Sequence, residues 1–141
     1  MITMKVKKLN PLAIIPTKAH EEDAGWDIYT TDSFIIPPGE RRSFNTGITM
    51  EIPYGWAGLY WPRSSLGFLK GLHVLGGVVD SGFRGEHRVC LVNLSNEPVA
   101  IQAGDRIAQM VLQRVYTGQM EEVEELSPSV RGENGWGSTG R

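Results

Sequence analysis

Glycine and proline interrupt this 141-residue chain so often that hardly any segment is long enough for a helix. There are 17 glycines and 8 prolines, recurring at intervals of about 8–12 residues, which is the spacing of short strands in β-sandwiches and barrels. These residues end helices and occupy tight turns, because glycine adopts positive φ and proline lacks a backbone N–H. We therefore predict an all-β fold, a jelly roll or β-sandwich-like barrel of short antiparallel strands.

Eight segments between the breaks have the alternating or β-branched residues of half-buried strands. They are residues 4–9, 27–30, 41–45, 48–52, 57–61, 88–94, 99–102 and 107–115. One short helix is predicted, at residues 119–126. In the last strand, alternation predicts that Ile107, Gln109 and Val111 share one face.

Composition argues against several classes of protein. The net charge of −2 lacks the basic excess of a surface that coats nucleic acid. No apolar run approaches the ~20 residues that span a bilayer, and the N-terminus lacks the apolar block of a signal peptide. The single cysteine, Cys90, fits a reducing cytosol and is expected in a buried strand. His20, His73 and His87 are expected at surface or loop positions.

From these features we expect a cytoplasmic protein, or one in the nucleus or host cytoplasm if the source is viral. We expect no secretion and no nucleic-acid or membrane partner.

The last eleven residues, 131–141, do not suit a hydrophobic core. Trp136 is their only large apolar side chain, and it is set among four glycines together with Arg131, Ser138 and Thr139. Glycines carry high conformational entropy, so we expect this segment to be mobile when no ligand is bound. A cation, an aromatic plate and two hydroxyls on flexible hinges could close over a flat, anionic ligand such as a nucleotide. The alternative is a disordered, solvated tail.

Two segments in the first half are richer in polar groups than packing requires. Residues 23–29 present Asp27 after a Gly-Trp pair. Residues 62–67 contain an arginine, two serines and a glycine, and guanidinium, hydroxyl and exposed backbone N–H groups together suit a phosphate. The same residues also describe an ordinary capped helical turn.

Two further segments combine glycine with single polar side chains. Residues 76–85 present Asp80 after two valines and before the aromatic Phe83. A carboxylate at a strand end can act as a general base, since the reference pKa of about 3.9 leaves it ionised at pH 7. An Asx-turn cap is the structural alternative. Residues 104–111 surround Gln109 with apolar neighbours, where a buried amide needs a partner.

These five segments, in this order, resemble the motifs of the homotrimeric dUTP diphosphatases (dUTPases). The resemblance runs from about Asp23 to Thr139. It implies hydrolysis of dUTP to dUMP and pyrophosphate by Mg²⁺-assisted attack of water on the α-phosphorus. Such an activity keeps uracil out of DNA and supplies dUMP for thymidylate synthesis. The resemblance also implies a dUTPase-like barrel domain at residues 1–126 and a flexible C-terminal arm at residues 127–141 that closes over the active site.

Roles for single residues follow from the same resemblance. Asp80 matches the catalytic carboxylate that orients and deprotonates the attacking water. Phe83 stands where most members carry tyrosine, beneath the deoxyribose, and should exclude a 2′-hydroxyl. Asp27 is expected to reach Mg²⁺ through water, the metal being bound mainly by substrate phosphates. Asp105 and Arg106 should hold their segment in place by ion pairing. The hairpin expected to read uracil through its backbone and to exclude thymine consists of Gly76, Gly77, Val78 and Val79.

The implied phosphate contacts come from both the barrel and the arm. In the arm, Arg131 matches the contact to the γ-phosphate, and Trp136 stands where the family usually has phenylalanine stacked on uracil. In the family each site gathers motifs from three subunits, so we expect a homotrimer with shared active sites; a regulatory protein partner stays open. The remaining implied phosphate contacts are Arg63, Ser64, Ser65, Gly67, Gln109, Gly137, Ser138 and Thr139.

Two alternatives remain open. dCTP deaminases share the fold, and residues 80–85 lean toward their third motif. That family needs a glutamate where this chain has Cys90 and an arginine where it has Phe68, and it lacks the signature at residues 131–139. The second alternative is a non-catalytic dUTPase-like module that binds nucleotide to regulate a partner. The presence of the implied catalytic and phosphate-binding residues argues against a loss of catalysis.

Overall fold

A computed structural model describes residues 3–140, so the first two residues of the predicted domain and the last residue of the predicted arm lie outside the described residues. Within this range the chain forms eleven strands and one short helix, and every strand pair is antiparallel. The elements are β1 (Lys5–Lys8), β2 (Gly25–Tyr29), β3 (Phe34–Ile36), β4 (Arg41–Asn45), β5 (Ile48–Glu51), β6 (Trp56–Trp61), α1 (Ser64–Lys70), β7 (Leu72–Leu75), β8 (Val78–Val79), β9 (Arg88–Asn93), β10 (Val99–Ile101) and β11 (Arg106–Arg114).

The strands form two larger sheets and two strand pairs. The four-stranded sheet has the order β2-β11-β6-β8, and the three-stranded sheet has the order β4-β9-β7. The remaining strands pair as β1 with β5 and as β3 with β10. Fully buried residues from both sheets, such as Ile28, Phe44, Leu91 and Met110, belong to one hydrophobic cluster. The predicted all-β fold class is therefore confirmed.

The eight predicted strands are all present, with ends within two residues of the prediction. Strands β3 and β7 were not predicted, because one is a three-residue strand beside a proline pair and the other is a four-residue strand separated from a helix by one glycine. β8 coincides with the hairpin expected before Asp80. Cys90 lies on β9 and is half-buried with a free thiol.

The predicted helix at residues 119–126 is wrong. These residues are exposed and not helical, because four glutamates and no buried apolar face leave nothing to stabilise so short a helix. The helix is instead α1, which follows the extended Arg63 and buries Leu66. It ends at Gly71, whose left-handed conformation (φ 68°) lets its N–H bond back to the Gly67 and Leu66 carbonyls.

A β-bulge changes the face assignment in β11. Arg106 pairs with Tyr29 and Ala108 with Ile28, so β11 has one extra residue at this point. Ile107 and Ala108 are consequently both fully buried, whereas Gln109 is half-buried. The prediction that Ile107 and Gln109 share a face is therefore wrong.

No helix between residues 3 and 140 is long and apolar enough to cross a membrane.

Candidate active site

The first group of predicted site residues meets at the centre of the four-stranded sheet. Gln109 on β11 pairs with Asp27 on β2 and with Trp61 at the end of β6, which brings Asp27 close to Arg63. The Gln109 side-chain amide donates to the Pro62 carbonyl at 3.0 Å. A cavity of about 240 Å³ opens here, and its lining includes Asp27, Arg63, Ser64, Arg106 and Gln109. We call it the polar cavity.

Two arginines bind the same carboxylate in the polar cavity. Asp27 Oδ1 accepts from Arg63 Nε at 2.7 Å, and Asp27 Oδ2 accepts from Arg106 Nη1 at 3.2 Å. The Asp27 side chain is only 15% exposed, so both contacts are partly shielded from water. Arg63 and Arg106 present guanidinium N–H groups at this cavity, and such groups suit an anion such as a phosphate. Asp23 also lines the cavity, so the two carboxylates of Asp23 and Asp27 balance the two arginines in charge.

Arg106 forms one of the expected ion pairs, with Asp27. Asp105 forms no ion pair within residues 3–140, contrary to expectation. Its carboxylate instead accepts from the Gln102 N–H at 2.9 Å and so closes the turn before β11.

The serines and glycine of the second motif lie on α1. The side chains of Ser64 and Ser65 are exposed in its first turn, and Arg63 Nη1 donates to Ser65 Oγ at 3.4 Å. The Gly67 N–H already donates to the Arg63 carbonyl at 2.8 Å. Of this segment, Arg63 and Ser64 line the polar cavity, whereas Ser65 and Gly67 do not.

The second group of predicted residues surrounds another cavity, of about 330 Å³, which we call the nucleoside cavity after the role that the sequence resemblance predicts for its residues. Its lining includes Val78, Val79, Asp80 and Phe83. Asp80 is exposed directly after β8, and its carbonyl accepts from the Phe83 N–H at 3.1 Å. This turn keeps the carboxylate and the aromatic ring at the same cavity.

The two glycines before β8 have left-handed backbones, with φ of 75° at Gly76 and 96° at Gly77. The Tyr60 N–H donates to the Gly77 carbonyl at 2.8 Å, and a Cβ at Gly77 would lie 3.0 Å from the Tyr60 carbonyl oxygen. Conformation and space therefore both require glycine at position 77.

Tyr60 and His87 form a buried pair at the nucleoside cavity that the sequence did not reveal. The Tyr60 hydroxyl and His87 Nδ1 are 2.6 Å apart. His87 lies in the loop before β9, as one of the two expected environments has it, but it is 1% exposed and therefore not at the surface. Burial lowers the pKa of His87 to about 4 and raises the pKa of Tyr60 above its usual range. One signal was available: position 87 continues the period-two burial of Val89 and Leu91 on β9.

The arm residues join neither group. Every described residue from Tyr116 onward is exposed, and Trp136 is fully so. Arg131 Nε donates to the Asn134 carbonyl at 2.7 Å, and the Ser138 N–H donates to the Gly135 carbonyl at 3.1 Å. Arg131, Trp136, Gly137, Ser138 and Thr139 line neither the polar cavity nor the nucleoside cavity. A single chain thus holds the predicted site residues in three separate groups.

Comparison with known proteins gives a consistent result. The dUTPase family model matches residues 12–140. The deoxyuridine 5′-triphosphate nucleotidohydrolase of Corynebacterium glutamicum is 44% identical, covering 100% of this chain and 97% of that protein. The enzyme of the same name from Nautilia profundicola is 45% identical, covering 98% and 99%.

Among solved structures, the dUTPase of Staphylococcus bacteriophage 80alpha with dUPNHPP is 30% identical. It superposes with a TM-score of 0.92 over 100% of both chains. The family model and the full-length relatives confirm the resemblance drawn from the five motifs: the chain belongs to the dUTPase family.

Proposed function

We propose that this protein hydrolyses dUTP to dUMP and pyrophosphate, and so keeps uracil out of DNA and supplies dUMP for thymidylate synthesis. Full-length relatives named deoxyuridine 5′-triphosphate nucleotidohydrolase support this activity, as does a similar structure with dUPNHPP. The observation that carries the proposal is the turn that holds the exposed Asp80 carboxylate and the Phe83 ring at one cavity.

In the proposed reaction, Asp80 is the general base. Its carboxylate orients a water molecule and accepts a proton as the water oxygen bonds to the α-phosphorus. The bond from the α-phosphorus to the bridging oxygen breaks, and pyrophosphate leaves. Exposure of Asp80 at the mouth of the nucleoside cavity supports this role, since both water and substrate can reach it.

The nucleoside would be read by the walls of the nucleoside cavity. Backbone groups of residues 76–79 would bind the edge of uracil, and the close approach of Gly77 to Tyr60 would hold this hairpin where a 5-methyl group cannot fit. Phe83 would lie beneath the deoxyribose and leave no room for a 2′-hydroxyl. Phenylalanine keeps the ring of the usual tyrosine without its hydroxyl.

The phosphates would occupy the polar cavity. The guanidinium groups of Arg63 and Arg106 and the exposed Ser64 hydroxyl at this cavity suit a triphosphate, and the exposed Ser65 hydroxyl lies beside Ser64 in the first turn of α1. We assign phosphate contacts to Arg63, Ser64, Ser65 and Gln109. Gly67 has a bonded N–H, so its proposed part is to allow close approach to the phosphates rather than to donate to them.

Magnesium fits this site only as a metal carried by the substrate. Within residues 3–140, no cluster of three or more His, Cys, Asp and Glu side chains could hold a metal ion. Both Asp27 oxygens accept from arginines, and each keeps a lone pair that a metal-bound water could use. Asp27 would therefore hold Mg²⁺ through water, while the phosphates bind it directly. When bound, the metal would neutralise phosphate charge and orient the triphosphate.

We further propose a homotrimer in which the arm, residues 127–141, completes a site formed by other subunits around the barrel domain of residues 1–126. The separation of the three residue groups in one chain supports shared sites. In the closed state, Trp136 would stack on uracil and Arg131 would bind the γ-phosphate. Gly137, Ser138 and Thr139 would follow the phosphate chain. A free cysteine suits the proposed cytoplasmic location.

One assay separates this proposal from its alternatives. With Mg²⁺ present, we expect pyrophosphate from dUTP and no ammonia from dCTP. Release of ammonia from dCTP would favour deamination. We do not expect it, because the half-buried Cys90 lies where the dCTP deaminases need a glutamate. Binding of a dUTP analogue without pyrophosphate release would favour the non-catalytic module.

A further inference from the structure

An aromatic cluster closes one side of the nucleoside cavity. It consists of Tyr60, Phe83 and His87, all of which line that cavity. The ring centroids of Phe83 and His87 are 5.6 Å apart at an angle of 55°, and those of Tyr60 and His87 are 6.1 Å apart at 85°. His87 is the member that contacts both others, so its position affects both.

The backbone and side chain of His87 are held firmly. Its N–H donates to the Ile48 carbonyl at 2.9 Å, and its carbonyl accepts from the Thr46 N–H at 3.3 Å and from Thr46 Oγ1 at 2.6 Å. On the side chain, Nδ1 bonds to the Tyr60 hydroxyl at 2.6 Å. A residue held by these four hydrogen bonds can serve as a fixed support for a neighbouring side chain.

Phe83 needs such a support, because it is 44% exposed on a short turn. A Cβ at Gly85 would lie 2.7 Å from Phe83 Cζ, so the ring rests directly against the Gly85 backbone. The aromatic neighbour of Phe83 within the described residues is the His87 ring. Gly85 and His87 together therefore restrict the directions in which the Phe83 ring can turn.

The same cluster connects the two walls of the cavity. Tyr60 belongs to β6, which pairs with β8, and its N–H bonds to the Gly77 carbonyl. Its hydroxyl bonds to His87, which follows the segment that carries Phe83. The hairpin proposed to read the base is thus connected to the Phe83 ring through the hydrogen bond between Tyr60 and His87. This bond is buried and therefore shielded from competing water.

We infer that His87 is a positioning residue for sugar selection: supported by Tyr60, its imidazole holds the Phe83 ring where a 2′-hydroxyl cannot fit. This inference rests on the proposed dUTP hydrolysis. His87 contacts Phe83 rather than the substrate, so its removal should loosen the choice of sugar more than the chemical step.

The test compares kcat/KM for dUTP and UTP, measured by pyrophosphate release, in wild type and His87→Leu. In the variant we expect the dUTP/UTP ratio to fall about tenfold, the size of effect that one poorly filled contact has in an apolar pocket. The fall in this ratio should come from changes in the KM values, and kcat for dUTP should stay within about twofold of its wild-type value. The dUTP/dTTP ratio should stay constant, because the bond from the Tyr60 N–H to the Gly77 carbonyl is kept.

Further variants separate this role from a loss of stability. Tyr60→Phe removes the hydroxyl and should lower the dUTP/UTP ratio in the same direction but by less. The double variant Tyr60→Phe/His87→Phe restores an aromatic neighbour for Phe83, so its dUTP/UTP ratio should lie between those of His87→Leu and wild type. His73→Leu removes an exposed histidine from β7 and serves as the matched control, in which the dUTP/UTP ratio should equal that of wild type.

The outcomes distinguish the two proposals. A wild-type protein that leaves dUTP intact would refute the proposed function, and the role of His87 with it. An active wild type whose dUTP/UTP ratio is unchanged in folded His87→Leu would refute the role of His87 alone. If His87→Leu does not fold, an unchanged ratio in Tyr60→Phe would refute that role instead.

Discussion

Arg63 Nε and Asp27 Oδ1 are 2.7 Å apart, although 36 positions separate the two residues in the chain. Both side chains are mostly shielded from water, and Arg106 reaches the second oxygen of the same carboxylate. The contact fixes an arginine that would otherwise be mobile at the entrance to α1. We interpret it as preorganisation, because an arginine already held in place loses less entropy when it binds a phosphate.

Arg63→Ala should weaken both the fold and the binding of substrate. Asp27 would lose its shorter charged hydrogen bond, so the free energy of unfolding should fall by about 1–3 kcal/mol. KM for dUTP should rise at least tenfold, or about 1.4 kcal/mol, because a phosphate contact is lost. Denaturant unfolding and steady-state kinetics measure the two effects. Lys70→Ala, at the exposed end of α1, is the control, and an Arg63→Ala protein with wild-type KM would contradict the assignment.

Asp80→Asn should separate binding from turnover. The amide keeps the size of the side chain but cannot accept the proton from water, so kcat should fall by roughly 10²–10⁴. Binding of dUTP, measured by calorimetry, should be nearly unchanged. Glu97→Gln provides an exposed carboxylate-to-amide control at a residue that lines neither cavity. Turnover at the wild-type rate in Asp80→Asn would exclude Asp80 as the base.

Gly85→Ala should disturb Phe83 through contact alone. The new Cβ would lie 2.7 Å from Cζ and 2.9 Å from Cε2 of Phe83, so the ring must move. KM for dUTP should rise by about tenfold, while the free energy of unfolding changes by less than about 1 kcal/mol. Gly82→Ala, on the other side of Phe83 in the chain, is the matched control, since nothing lies within 4 Å of its Cβ. Equal kinetics in the two variants would show that the Phe83 ring has room to yield.

His87 should make the stability of the fold depend on pH. Burial lowers its pKa from 6.5 to about 4, so the unfolded chain binds more protons than the folded one between these values. The contribution of neutral His87 to the free energy of unfolding is complete above about pH 6.5 and is lost as the pH falls toward 4. Between these values the free energy of unfolding should fall by up to about 1.4 kcal/mol per pH unit. Denaturant unfolding at pH 7, 6 and 5, at one protein concentration, should show a shallower slope in His87→Leu. His73→Leu should keep the wild-type slope; equal slopes in wild type and His87→Leu would contradict the prediction.

Trp136 should report closure of the arm. Its indole is fully exposed, so its fluorescence should shift to shorter wavelength when it stacks on uracil in the presence of Mg²⁺ and a non-hydrolysable dUTP analogue. Stacking of this kind contributes roughly 1–3 kcal/mol. Trp136→Phe keeps a stacking ring but removes the reporter, so the spectral change should disappear while binding is retained. A full spectral change in Trp136→Phe would assign the signal to another tryptophan.

The local geometry of much of the candidate site could be predicted because its motifs are formed by adjacent residues. Gly77 needs a left-handed backbone, and Asp80 and Phe83 are joined by one turn, so a few adjacent residues decide where these groups lie. The face of Gln109 could not be predicted in the same way. The bulge at Arg106–Ala108 adds one residue to β11, and a bulge depends on the partner strand rather than on the alternation within β11.

The short helix illustrates the same limit. The sequence from Arg63 to Gly67 is compatible with either a phosphate-binding loop or a helical turn, and the helix forms because Leu66 packs into the core and Gly71 ends the helix. Residues 119–126 have no such core within reach, so helix-compatible residues there stay irregular.

The sequence by itself determined the all-β class, the eight main strands and the five polar segments, because period-two alternation and turn residues act over short distances along the chain. Only the tertiary structure decided that Arg106 pairs with Asp27, 79 positions away, and that His87 is buried against Tyr60 and Phe83. It also decided that the polar cavity, the nucleoside cavity and the arm stay apart in one chain. These relationships depend on strand register and sheet order, which arise when distant segments pack around a shared core.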